Sequence, residues 1–148
     1  MNAKTSFRTA TRVVAAAGLA AGLALAVQPA AVAAPSAPVV AVSPASALAD
    51  GQQVSVTASG LTPNTVFHLG QCAFVEPGKY GCNAETGKDI TSDASGKINT
   101  TFTVRSSFTA VVTADGAVWG TVDAKKIQTQ VGLGSGTGEG GGQVVSFK

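Results

Sequence analysis

The chain has 148 residues, 45% hydrophobic and only 12% charged, with ten Lys/Arg, eight Asp/Glu and one His. Such a length holds one domain with a modest core. The nearly even charge leaves nothing that would by itself argue for nucleic-acid binding, and one His with two Cys is too few for a structural metal site.

The first segment reads as an address. Lys4, Arg8 and Arg12 precede an apolar run from Val13 to Val27, too short to span a bilayer comfortably, and then Ala31-Val32-Ala33 supplies an A-x-A site. The expectation is a signal peptide over 1–33, cleavage before Ala34, a secreted product of residues 34–148, and no membrane contact after cleavage. Three of the ten basic residues lie in the leader, leaving seven Lys/Arg against eight Asp/Glu, a net charge near −1.

Beyond the leader the chain is a series of short β-branched runs between turn residues. Val39–Val42 ends at Ser43-Pro44. Gln53–Ala58 alternates Val54, Val56 and Ala58 and ends at Ser59-Gly60. Thr65–Val75 is longer and stops at Glu76-Pro77-Gly78. Lys88–Thr91 and Lys97–Val104 flank Asp93-Ala94-Ser95-Gly96, read as a hairpin-type turn. Ala110–Thr113 and Val118–Val122 flank Asp115-Gly116, a second hairpin signal. Ile127–Leu133 and Gln143–Phe147 close the chain around a glycine-rich stretch, Gly134 to Gly142, read as a flexible loop rather than a phosphate cradle, because no helix follows it.

Seven to nine short strands with Gly/Asp turns predict an all-β antiparallel sandwich, a small barrel being the structural competitor. Cys72 and Cys82, with nine residues between them, most simply pair with each other in an oxidising compartment. Closing that loop stabilises the fold by about 2–3 kcal/mol on the chain-entropy model. No G-x-S-x-G or H-E-x-x-H motif is present, so no catalytic residue is assigned and the chain is read as a non-enzyme.

Three stretches carry a resemblance. They are Gly70-Gln71-Cys72-Ala73-Phe74-Val75 with Cys82-Asn83, then Phe102-Thr103-Val104-Arg105 with Ser107-Phe108, then Trp119-Gly120-Thr121-Val122-Asp123 followed by Gln130-Val131-Gly132-Leu133. In order and spacing they resemble the neocarzinostatin apoprotein family, the secreted enediyne carriers of actinomycetes, from about Pro38 to the C-terminus. The resemblance implies an immunoglobulin-like β-sandwich of about seven strands with an appended β-ribbon forming a cleft. It implies a cargo held there without a covalent bond: an enediyne chromophore, a small apolar polycyclic ligand. Antibacterial and DNA-damaging activity would reside in that cargo, so DNA would be met only through it, and the protein would be a monomer.

Strand alternation puts His68, Gly70, Cys72 and Phe74 on one face of the long run, and Phe67, Leu69, Ala73 and Val75 on the other. Gln130, Gly132 and Gly134 alternate likewise with Val131 and Leu133. The resemblance makes the first sets the lining of the cleft: a floor at Gly70 and Gly132, with Gly134 beside it, and walls at Phe74 and Cys72–Cys82. His68 and Gln130 are the polar orienting groups. Tyr80, read as the tip of the disulfide hairpin, supplies a further contact. Trp119 reads as a buried anchor.

The departures from the family pattern matter as well. Ala124 and Thr129 stand where the family carries its second disulfide, and its stacking phenylalanines fall at or near Gly87, Val111 and Thr113. Each lost stacking ring removes roughly 0.5–1.5 kcal/mol beyond buried area. Those losses keep a second function open beside the carrier: an orphan secreted immunoglobulin-like module that binds a protein or cell-wall partner.

Overall fold

The computed structural model describes residues 37–148. The leader expected over 1–33, and its cleavage site, lie outside them. Among the described residues there are ten strands and no helix: β1 (Val39–Ser43), β2 (Gln53–Ser59), β3 (Val66–Glu76), β4 (Lys79–Asn83), β5 (Lys88–Thr91), β6 (Ile98–Thr103), β7 (Ser107–Val112), β8 (Val118–Asp123), β9 (Thr129–Gly134) and β10 (Gly140–Val145). The strands form two antiparallel sheets, as the alternation predicts. The smaller has the order β1-β2-β6, and the larger runs β10-β9-β3-β4-β7-β8 with β5 also on β3.

The main core lies between the sheets. β2 is strictly alternating, so Val54, Val56 and Ala58 turn inward while its other residues face solvent. They meet Phe67 and Leu69 of β3, Ile98 and Phe102 of β6, and Val131 and Leu133 of β9. A second, smaller cluster of Ala73, Phe108, Ala110 and Val122 lies under the β4-β7-β8 end of the larger sheet.

Several expectations are corrected. β5 and β6 flank Asp93–Gly96 but do not pair: β5 joins β3, and β6 joins β2 in the other sheet. The turn therefore links the sheets instead of closing a hairpin. Its signal was real in kind, since Asp93 Oδ1 accepts the amides of Ser95 (2.8 Å) and Lys97 (2.9 Å). Gly96 has φ +68° there, and a Cβ on it would lie 2.0 Å from the Leu61 carbonyl oxygen, so no other residue fits. The Asp115-Gly116 hairpin between β7 and β8 forms as expected.

The glycine-rich stretch is not a free loop. Gly140 to Gly142 begin β10, pairing with Gly134, Leu133 and Gly132, and only Ser135–Glu139 turn. Glu139 Oε1 accepts the Thr62 amide at 2.8 Å, tying that turn to the segment after β2. Trp119 is only partly buried, and its Nε1 donates to Glu76 Oε1 at 2.8 Å.

Candidate functional site

The site follows from β3, which borders β9 along one side and β5, then β4, along the other. Residues directly opposite in an antiparallel pair share a face. Three rows can therefore be read across the outward face of the larger sheet. One runs Val144, Gln130, Cys72, Cys82, Val111 and Val118 across six strands. The next is Gly142, Gly132 and Gly70, and the third is Gly140, Gly134, His68 and Asp89. A band without side chains thus lies beside an apolar band that contains the disulfide.

This face bounds a cleft of about 780 Å³. Its lining is apolar, apart from Gln130, His68, Thr113, the Tyr80 phenol and the Ser135 and Glu139 of the β9–β10 turn. That size and that sparse polarity are what a drug-sized organic ligand requires.

Of the residues singled out in the sequence, His68, Cys72, Phe74, Tyr80, Cys82, Gln130, Gly132 and Gly134 all line the cleft. Gly70 does not. It is buried, and a Cβ on it would sit 3.7 Å from Cys72 Sγ and 3.8 Å from His68 Nε2, so its neighbours cover it. Gly132 has a stricter reason to be glycine: a Cβ there would lie 2.8 Å from the Gly141 carbonyl oxygen, because β9 and β10 approach closely.

Tyr80 is not at a hairpin tip. It lies within β4, a strand the sequence reading missed, directly opposite Phe74, and the tip is Glu76–Lys79. The two rings meet at a centroid distance of 4.9 Å and a tilt of 57°. Phe74 nevertheless stays 70% exposed, which leaves one side of the ring pair open to the cleft. The Gln130 amide donates to the Tyr80 hydroxyl, so β9 and β4 are joined over β3. Burial pushes the phenol above its ordinary value, and the Gln130 bond opposes that rise.

At the opposite end, His68 Nδ1 is 3.0 Å from Asp89 Oδ1. Thr113 closes the β7 side, with its hydroxyl donating to the Tyr80 carbonyl. Gln71 had no assigned role, yet it is fully buried on the core face of β3, next to the cleft residue Cys72. No cluster of three potential metal ligands exists among the described residues.

Known proteins share this fold. The profile of the Neocarzinostatin family matches residues 40–147. Macromomycin of Streptomyces macromomyceticus is 55% identical over 111 residues, covering 75% of this chain and 77% of its own. The antitumor antibiotic C-1027 apoprotein of Streptomyces globisporus is 42% identical over 114 residues, covering 77% and 76%. The solved structure of macromomycin superimposes with a TM-score of 0.73 at 55% identity, over 76% of this chain and all of its own. The solution conformation of apokedarcidin gives 0.62 at 37% identity, again over 76% of this chain. On sequence, fold and the matched span alike, the chain belongs to the neocarzinostatin family.

Proposed function

We propose that this protein is an exported apoprotein that holds one small, flat, apolar ligand of enediyne type in the β3–β4–β9–β10 cleft. It binds and releases that cargo and carries out no chemistry itself. Residues 1–33 act as the export signal, and the product works outside the cell as a monomer that meets DNA only through its cargo.

One observation carries the reading: an apolar cleft of about 780 Å³ with a glycine floor, walled by Phe74, Tyr80 and Cys72–Cys82, in a chain 42% identical to a protein named as an antibiotic's apoprotein. The residues present fit such a cargo. A planar ring system can lie on the glycine band, make face and edge contacts with the tilted ring pair, and find few unpaired polar groups beneath it. Gln130 and the Tyr80 hydroxyl supply the polar contact that sets orientation.

Native mass spectrometry of protein purified from its producing organism tests this directly. The expected result is a mass above that of the 34–148 polypeptide, lost on denaturation. Purified apoprotein should also show NMR shifts at Phe74, Tyr80 and Gln130 on adding a naphthoate ester or a flavone, and Gly134→Trp, at a lining position with open space above it, should abolish them. Apoprotein alone, with no shift from either probe, would falsify the carrier reading.

A further inference from the structure

The His68 end of the cleft holds an arrangement that ligand enclosure alone does not require. A Cβ built on Gly87 would stand 3.0 Å from His68 Nε2 and 3.1 Å from Cε1, and one on Gly70 would stand 3.8 Å from Nε2 and 3.9 Å from Cδ2. The imidazole thus rests over two backbone positions that carry no side chain, and it fills the space of both. Asp89, directly opposite on β5, holds the other nitrogen at 3.0 Å. The ring is fixed from below and from the side, yet the side chain remains 59% exposed, and it borders the cleft. Phe74 lies six residues further along the same face of β3, about 20 Å away at ordinary strand rise.

We propose that His68 is a specificity-determining ring of the cleft. It receives one flat ring of the cargo while the Phe74–Tyr80 pair receives another, so the cleft selects an elongated ligand with a ring system at each end. This assignment rests on the carrier reading and names the shape class of its cargo. Asp89 is a positioning residue, acting through the imidazole. The absence of a side chain at Gly87 is what makes room for the ring.

Two probes test it by NMR titration of the mature protein: ethyl 2-naphthoate, with one ring system, and a bis-naphthyl diester whose rings reach about 20 Å apart, the span of six strand residues. The wild-type protein should bind the two-ended probe roughly five- to ten-fold more tightly, the worth of one additional ring contact. His68→Ala should erase that advantage, and His68→Phe should restore it. Asp89→Ala should reduce the advantage in the His68 protein but not in H68F, since phenyl has no Nδ1 to hold.

An advantage that persists in H68A, is absent from the wild type, or is not restored in H68F overturns the assignment of His68 while leaving the carrier reading intact. An equal effect of Asp89→Ala in both backgrounds overturns its positioning role. Binding of neither probe by the wild-type protein overturns the assignment and the carrier reading together.

Discussion

The side chain of Gln71 is bonded at both ends of its amide to the main chain of Arg105: Nε2 donates to the carbonyl oxygen at 2.8 Å, and the Arg105 amide donates to Oε1 at 2.8 Å. Gln71 is fully buried, so this is a main-chain pairing made by a side chain, joining β3 to the segment between β6 and β7. Gln71→Leu keeps the volume but strips two buried main-chain groups of their partners. It should cost about 2–3 kcal/mol, read as a lower midpoint in urea with an unchanged slope. One-ring probe binding to the folded fraction should be unaffected, because the side chain faces away from the cleft.

Glu76 accepts from both Lys79 Nζ (2.8 Å) and Trp119 Nε1 (2.8 Å). The Lys79 bond first, then the Trp119 bond, hold its carboxyl below the ordinary glutamate value of 4.5. A depressed acid contributes stability above its unfolded value, and that contribution is lost as pH falls through the folded one. Trp119 is the only tryptophan, so its fluorescence should report Glu76 directly. The acid transition is expected below pH 4.5 and should vanish in Glu76→Gln. A transition that survives in that variant refutes the pairing.

Glu139→Ala removes the acceptor of the Thr62 amide and frees the β9–β10 turn at the cleft mouth. The contact is exposed, so the global cost should be about 0.5 kcal/mol. The larger expected effect is local: faster hydrogen exchange at the Thr62 amide, and faster exchange of a bound probe.

Thr129 is fully buried and its hydroxyl has no partner. Thr129→Val removes an unpaired donor at nearly constant shape, and it should stabilise the protein by about 1 kcal/mol in urea denaturation. A destabilised T129V would mean that the hydroxyl is satisfied in solution.

Most of the fold was legible because its causes are local. Val54, Val56 and Ala58 alternate whatever pairs with them, and Asp93 and Asp115 build their turns from their own side chains. The failures share one property, dependence on distant partners. Lys79–Asn83 contains little to mark it as a strand, and it becomes β4 because Cys72 and Phe74 on one side and Val111 on the other supply its ladders. Gly140 to Gly142 have no side chains to alternate, so β10 is specified by the backbone of β9.

The candidate site divides the same way. The faces of β3 and β9 could be read from period-two alternation, and the family resemblance made one of them the cleft lining, which holds for all but Gly70. The Gln71–Arg105 pairing could not, because a polar residue inside a sandwich has no signature without its partner. The seat of His68 was equally hidden, since Gly87 is meaningful only once β5 brings Asp89 opposite the imidazole.

The separation of the two buried clusters has a consequence for how a bound molecule could leave. The main core gathers fourteen buried side chains from both sheets, whereas the cluster beneath the β4-β7-β8 wall has only four, Ala73, Phe108, Ala110 and Val122. Cooperative units with so few buried contacts open more often than the whole molecule unfolds. That wall is expected to open while the sandwich stays intact, and on the carrier reading such a partial opening sets the residence time of a cargo. On the carrier reading, durability outside the cell and the timing of delivery therefore answer to different parts of the same small protein.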